Sequence, residues 1–100
     1  MSWKKMLLAG DTTTGPALQG TVGVDPPSIA KASTGNVDVS VSGLLISHKV
    51  YVQCQSDLEN GLVCIGAYCP VNGTLRLRIT NWSTAAINGA LRTWAYQAYA

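Results

Sequence analysis

The fold is decided by residues 62 to 81, which read L-V-C-I-G-A-Y-C-P-V-N-G-T-L-R-L-R-I-T-N. Apolar and polar residues alternate on either side of Asn72-Gly73. An Asn-Gly pair between two alternating runs is the strongest short-range signal of a β-hairpin. We therefore expect two antiparallel strands joined by a tight loop.

Two registers of this hairpin are compatible with the sequence. A two-residue loop would pair Cys69 with Arg76 and Ala67 with Arg78, which places charge beside the apolar side chains. A three-residue loop, 71 to 73 with Gly73 left-handed, makes three apolar pairs, namely Cys69 with Leu75, Ala67 with Leu77 and Ile65 with Ile79. Because a buried face sets the register of a strand pair, we predict the three-residue loop.

The other face of the predicted hairpin carries Tyr68 opposite Arg76 and Gly66 opposite Arg78. A guanidinium above a tyrosine ring contributes about 0.5 to 1 kcal/mol when exposed, which is packing and no sign of catalysis. We interpret Arg76 and Arg78 as candidate interface residues that meet a carboxylate on another subunit. A solvated sheet face with two ordinary arginines is the alternative.

The cysteines do not form a recognisable metal or redox motif. Cys64 and Cys69 are five residues apart, so on one regular strand they point to opposite faces. The C-x-x-C spacing of metal and redox pairs is absent, and Cys54 is a third thiol without a partner. We predict reduced cysteines that act as small apolar residues. A disulfide of Cys54 with either of the others stays open.

Alternation with a period of two extends through most of the chain, which is typical of strands with one buried face. The sides expected to face the core are formed by Val37, Val39 and Val41, by Val50, Val52 and Cys54, and by Trp94, Tyr96 and Ala98. Shorter strands are expected at 3–8, 21–24 and 28–32. Residues 84 to 91 are the one helical candidate, limited to a turn or two by Asn88-Gly89.

Turn signals rich in Gly, Pro, Asn and Asp separate these runs. The pattern predicts an all-β fold, an antiparallel β-sandwich or jelly roll of seven or eight short strands. One hundred residues suffice for a single domain. We divide it into an N-terminal arm with the first strands, residues 1–25, and a main sandwich, residues 26–100.

The composition favours a subunit of an assembly. Charged residues make up 12% of the chain, about half the usual share, so we expect part of the surface to be covered by other subunits. A net charge of +2 is too small to predict direct nucleic-acid binding. The apolar run near the start is too short for a signal peptide or a membrane span, and we expect synthesis in a cytoplasm and no membrane partner.

No catalytic, metal or cofactor site is predicted. His48 is the single histidine and has no companion for acid-base or metal chemistry, so we expect a turn residue. The carboxylates fall at turns or on a polar strand face; they are Asp11, Asp25, Asp38, Asp57 and Glu59. Asn72 and Asn81 match the glycosylation pattern by chance. The tyrosines and tryptophans are expected in the core or at subunit contacts, with sugar stacking on an open face as the alternative.

Three segments of the chain carry a resemblance to known proteins. They read S-I-A-K-A-S-T-G-N-V-D-V-S-V-S-G-L, then V-Y-V-Q-C, and then L-E-N-G-L-V-C-I-G-A-Y-C-P-V-N-G-T-L-R-L-R-I-T-N-W-S-T-A-A-I-N with a closing R-T-W-A-Y. Over roughly residues 26 to 97 the chain resembles small β-sandwich proteins of tailed bacteriophages. The opening W-K-K-M-L-L-A-G-D is similar to the start of short virion proteins in phages of marine bacteria.

The resemblance implies a structural component of the virion, without cofactor or catalytic residues and commonly trimeric. We expect a non-enzymatic capsid decoration protein that forms a homotrimer, binds the major capsid protein or other virion proteins and stabilises the head. A module of a tail fibre, or a receptor- or carbohydrate-binding module, is the alternative. The expected lattice contact is an amphipathic basic segment at the chain end, which a neighbour can order; it comprises Trp3, Lys4, Lys5 and Met6.

Overall fold

The computed structural model describes residues 15 to 100 of the chain. This part contains eight β-strands, and no helix in it is long and apolar enough to cross a membrane. The strands are β1 (Leu18–Val24), β2 (Ser28–Ile29), β3 (Ser33–Ser40), β4 (Lys49–Cys54), β5 (Leu62–Tyr68), β6 (Thr74–Asn81), β7 (Ile87–Asn88) and β8 (Arg92–Tyr99).

The strands form three antiparallel sheets. One three-stranded sheet has the order β1-β8-β4, a second has the order β3-β6-β5, and β2 pairs with β7 in a two-residue ladder. The predicted all-β class, a small antiparallel sandwich, is confirmed. The strand expected at 3–8 lies outside the described residues, and the others expected at 21–24 and 28–32 correspond to the end of β1 and to β2.

The core contains the side chains that the alternation assigned to the inner faces. Leu75, Leu77 and Ile79 of β6 are fully buried, and Trp94 and Ala98 of β8 are almost fully buried. The full core comprises Val24, Ile29, Val37, Val41, Leu44, Leu62, Cys69, Leu75, Leu77, Ile79, Trp94 and Ala98. Val39, Val50, Val52, Cys54 and Tyr96 pack against it and are partly exposed.

The β5–β6 hairpin is connected by residues 69–73, which include the predicted loop residues 71 to 73 but leave the predicted pair of Cys69 with Leu75 outside the ladder. Gly73 has a φ of 87°, the left-handed conformation that a glycine adopts without steric cost. Near the loop the register is also as predicted, since Ala67 pairs with Leu77 and Tyr68 pairs with Arg76. Gly66 pairs with Arg78, again as expected.

Further along the hairpin the predicted register is wrong. Ile79 pairs with Cys64 instead of Ile65, because the ladder shifts between Cys64 and Gly66. Ile65 is therefore an extra residue, a β-bulge, and its side chain is 55% exposed. The bulge changes which faces the two cysteines occupy.

Cys64 and Cys69 do not point to opposite faces, which corrects the sequence prediction. Because of the extra residue between them, both side chains point to the same face of the sheet. Cys69 lies in the core and Cys64 packs against it. Cys69 donates to the carbonyl of Val71 over 2.9 Å. Burial raises the pKa of the Cys64 thiol, and all three cysteines are free thiols in the structure.

The helical candidate at residues 84 to 91 forms no helix. Its central residues, Ile87 and Asn88, form strand β7 and pair with Ile29 and Ser28. Asn81, at the end of β6, holds this region in place with its side chain. Its amide donates to the carbonyls of Ile29 and Ala85 over 2.8 and 2.9 Å, which a helix over the same residues would not allow.

Candidate assembly interface

An exposed apolar cluster lies on the outer face of the β3-β6-β5 sheet, at the end away from the hairpin loop. We call it the bulge patch, and it consists of Val63, Ile65 and Trp82, which are 46%, 55% and 72% exposed. Val63 points outward because it pairs with Thr80, and Ile65 joins it through the bulge. Exposed apolar patches are typical of interaction sites, so the bulge patch is a candidate interface.

Ile65 and Trp82 of the bulge patch line a recess of about 380 Å³. The recess is lined by Ala32, Thr34, Ile65, Thr80 and Trp82. Thr34 and Thr80 lie on neighbouring strands and their hydroxyl oxygens are 2.8 Å apart, so one hydroxyl donates a hydrogen bond to the other. The recess thus presents the apolar side chains of Ile65 and Trp82 beside two hydroxyl groups that bond to each other, a surface suited to a mainly apolar side chain from a partner.

A second apolar cluster lies at the hairpin-loop end of the same sheet. We call it the loop patch, and it consists of Leu45, Ile46 and Val71, which are 44% to 64% exposed. The Ile46 N–H donates to Oδ1 of Asn72 over 3.1 Å, which ties the 45–48 turn to the hairpin loop. The loop patch therefore lies at the hairpin-loop end of the sheet, and the bulge patch lies at the other end.

His48 supports the turn that carries the loop patch. Its ring Nδ1 accepts a hydrogen bond from the backbone N–H of Leu45 over 3.1 Å. The backbone N–H of His48 donates to the carbonyl of Leu45 over 3.0 Å. The interpretation of His48 as a turn residue is confirmed. Its ring supplies one hydrogen bond to the backbone of the turn.

A polar stripe separates the two patches. Arg76 donates to Asp38 through Nε at 2.8 Å and Nη2 at 3.0 Å, and through Nη1 to the Tyr68 hydroxyl at 3.3 Å. The guanidinium carbon lies 5.9 Å from the centre of the Tyr68 ring. The hydrogen bond from Arg76 holds the pKa of the Asp38 carboxyl below its usual value. Arg76 thus has its carboxylate partner on the adjacent strand of its own sheet.

Arg78 differs from Arg76 in its partner. Its Nε donates to Oδ1 of Asn36 over 3.1 Å, and no carboxylate among residues 15–100 forms an ion pair with it. Its side chain is exposed at a position between the polar stripe and the bulge patch. Of the two arginines expected at an interface, Arg78 is the one whose charge has a neutral partner in the described part of the chain.

The structure places the predicted interface residues unevenly. Arg76 and Arg78 lie on the sheet face between the patches, whereas Trp3, Lys4, Lys5 and Met6 lie outside the described residues. The bulge patch was not predicted, because alternation placed Ile65 on the inner face. A glycine inside a strand is a recognised sign of a bulge, so Gly66 was the signal that the sequence offered.

The remaining charged cluster serves to hold two loops together. Oε2 of Glu59 accepts from the Ala90 N–H over 2.9 Å and from Nη2 of Arg92 over 3.0 Å. These two bonds, the first being the larger effect, lower the pKa of Glu59 from 4.5 to about 2. Among residues 15–100 no group of three or more His, Cys, Asp or Glu could hold a metal ion.

Comparison with protein-family models, with curated proteins and with solved structures finds no match to this chain. Functional arguments therefore rest on the surfaces of the molecule itself.

Proposed function

We propose that the protein is a non-enzymatic structural subunit of a virion, a capsid decoration protein that forms a homotrimer. The observation that carries the proposal is the bulge patch, where the backbone of β5 departs from regular pairing and turns Ile65 to the surface. Regular alternation would place Ile65 in the core, but the bulge exposes it on the outer face. An exposed isoleucine of this kind favours a surface that a partner covers.

The chemistry of the face supports a contact between copies of the chain. Apolar patches bury well against each other, and symmetric oligomers repeat one self-complementary or head-to-tail surface around an axis. The exposed guanidinium of Arg78 beside the bulge patch fits the polar rim of such an interface. The virion setting, with the major capsid protein as partner and the capsid surface as location, rests on the resemblance to phage proteins.

The first test is the mass in solution, measured by light scattering after size exclusion over a tenfold range of concentration. We expect a particle of three times 10.5 kDa. Ile65→Ser and Trp82→Ser should each lower that mass, because they place a hydroxyl in the contact. Leu91→Ser is the matched control, since Leu91 is 67% exposed and lies outside both patches. A monomer at every concentration, or an effect of Leu91→Ser alone, contradicts the proposal.

The second test concerns the capsid. Particles that lack the protein are incubated with the full chain or with a variant from which residues 1 to 10 are deleted, and the bound protein is measured after sedimentation. We expect the deletion to lower binding while the trimer mass is kept, since Trp3 to Met6 are the proposed lattice contact. Undiminished binding of the shortened chain removes that role from the segment.

A further inference from the structure

The outer face of the β1-β8-β4 sheet carries a shallow groove that none of the preceding arguments uses. Its volume is about 540 Å³, within the range of small-molecule sites. It is lined by Gln19, Gly20, Thr21, Tyr51, Val52, Gln53, Ala95, Tyr96 and Gln97. Because Trp94 and Ala98 of β8 are buried, Ala95 and Gln97 between them face outward, and the register extends that face to the neighbouring strands.

The register arranges the outward side chains in two rows across the three strands. Thr21, Ala95 and Gln53 form one row. Gln19, Gln97 and Tyr51 form the next. Three strands at a spacing of about 4.8 Å make a platform roughly 10 Å wide. Ala95, at the middle of one row, has a small side chain, which creates the depression. The larger side chains surround it.

The chemistry of the groove is polar without charge. None of the nine residues that the structure describes around it is an Asp, Glu, His, Lys or Arg, and three of them are glutamines with one amide donor group and one acceptor each. Lys49, opposite Tyr99 in the next row of the same face, is the nearest charged residue by the register and does not line the groove. Amides and a threonine hydroxyl arranged around one exposed tyrosine match a ligand that has many hydroxyl groups and an apolar ring face.

Tyr51 is held in place for stacking. Its ring is 62% exposed and meets the ring of Tyr99 edge-on, with centroids 5.9 Å apart and planes at 72°. The Tyr99 hydroxyl donates to Oε1 of Gln97 over 3.2 Å, which orients that amide and leaves its N–H₂ group for a ligand. The electron-rich face of an aromatic ring attracts the C–H groups of a pyranose, whose hydroxyls lie around its rim.

We propose that this groove binds a neutral hexopyranose carbohydrate, with Tyr51 stacking on the sugar ring and the amides of Gln19, Gln53 and Gln97 bonding to its hydroxyl groups. The groove belongs to the sheet that does not carry the bulge patch. The proposal therefore goes beyond the structural role and does not depend on it, since a decoration subunit can expose such a groove at the particle surface. It also gives a definite site to the carbohydrate-binding alternative that the sequence left open.

The experiment is an NMR titration of the ¹⁵N-labelled full chain with cellohexaose, maltohexaose and mannohexaose as neutral probes and sialyllactose as the anionic probe. We expect saturable shifts of the backbone amides of Thr21, Gln53 and Ala95 with at least one neutral probe. Tyr51→Ala should weaken that binding by up to about tenfold, the effect of losing one stacked ring, and Tyr51→Phe should keep it.

The control is Tyr68→Ala, which removes the exposed tyrosine of the opposite sheet and should leave the sugar affinity unchanged. No saturable shift with any neutral probe, shifts confined to other surfaces, or tighter binding of sialyllactose overturns the proposal. Ala95→Arg, which fills the depression, should abolish sugar binding without changing the mass in solution. A change of mass with Ala95→Arg would make the groove a subunit contact and overturn the proposal, whereas failure of the sugar titration leaves the mass test of the trimer intact.

Discussion

Asn81 is a buried polar side chain with every hydrogen-bonding group occupied. Its Nδ2 donates to the carbonyls of Ile29 and Ala85, and its Oδ1 accepts from the backbone N–H of Ser83 over 2.8 Å. The side chain is fully buried, so nothing else in its surroundings replaces these bonds. It joins β2, the end of β6 and the following turn. The same burial means that the glycosylation pattern at 81 to 83 has no accessible acceptor in the folded chain.

Asn81→Ala is expected to reduce the free energy of unfolding by about 1 to 3 kcal/mol, because it leaves the buried carbonyl of Ile29 and the partly buried N–H of Ser83 without their side-chain partner. Urea unfolding followed by tryptophan fluorescence measures the difference. Asn36→Ala is the control, since Asn36 is exposed and bonds only to Arg78; it should change stability by less than about 0.5 kcal/mol. Equal effects of the two substitutions would show that the buried hydrogen bonds of Asn81 contribute little.

Glu59 makes part of the stability dependent on pH. Its pKa falls from 4.5 to about 2 on folding, so the folded state binds the proton more weakly than the unfolded state. The stabilisation is fully present above about pH 4.5 and is lost as the pH falls toward about 2. The carboxylate is partly exposed, so solvent screening limits its contribution to the order of 1 kcal/mol.

Glu59→Gln should therefore destabilise the protein at about pH 6 and have a smaller effect at about pH 2. Urea unfolding of both chains at the two pH values measures this difference. Asp57→Asn serves as the control, because Asp57 is exposed on the same loop and forms no ion pair within residues 15–100. A destabilisation by Glu59→Gln that is the same at both pH values contradicts the assignment.

Among the elements, β5 shows how one extra residue changes both faces of a strand. With Ile65 as a bulge, Leu62 and Cys64 on one side of it and Ala67 on the other all face the core. In a regular strand with the same sequence, the side-chain period of two would place either Leu62 and Cys64 or Ala67 on the outer face. The bulge thus reconciles an apolar inner face with an apolar patch on the outer one.

Deletion of Ile65 is expected to give a continuous ladder in which Cys64 still pairs with Ile79. The protein should fold with a loss of about 1 kcal/mol or less, within the range of ordinary substitutions, and should lose the bulge patch and its effect on mass. Circular dichroism, urea unfolding and light scattering measure the three properties.

Deletion of Val63 is the matched comparison. It would move Leu62 to the position opposite Thr80, on the outer face, and should cost roughly 1.5 to 3 kcal/mol for the exposure of a buried leucine. The proposed role of the bulge is wrong if the Ile65 deletion destabilises the protein as much as the Val63 deletion does.

At the scale of the whole molecule, the two larger sheets present outer faces of different chemistry. One carries two apolar patches around a stripe with Arg76 and Arg78, and the other carries the uncharged groove around Ala95. The inner faces of both sheets form the hydrophobic core. Oligomer mass and sugar affinity are therefore expected to respond to different substitutions, because distant sites with no shared contacts act independently.

Features of the candidate interface that depend on residues close together in the chain were easier to predict from the sequence than features that depend on distant residues. The face with Tyr68, Arg76 and Arg78 was predicted correctly, because it follows from pairing close to the hairpin loop. The ion pair of Arg76 with Asp38 joins residues that are 38 positions apart and was not predicted. The bulge patch was also missed, since the alternation of Cys64, Ile65 and Gly66 reads equally well as a regular strand.

The sequence by itself determined the all-β class, the inner faces of β3, β4, β6 and β8, and the left-handed Gly73 in the hairpin loop. These follow from local properties, namely a side-chain period of two and the conformational freedom of one glycine. Only the tertiary structure decided the bulge at Ile65, the common side of Cys64 and Cys69, and the bonds of Asn81 and Glu59. The bonds of Asn81 to Ile29 and of Glu59 to Arg92 join residues 52 and 33 positions apart, where local propensity carries no information. The bulge lies within one hairpin, but the alternation of its residues is also compatible with a regular strand, so the pairing with β6 decides it.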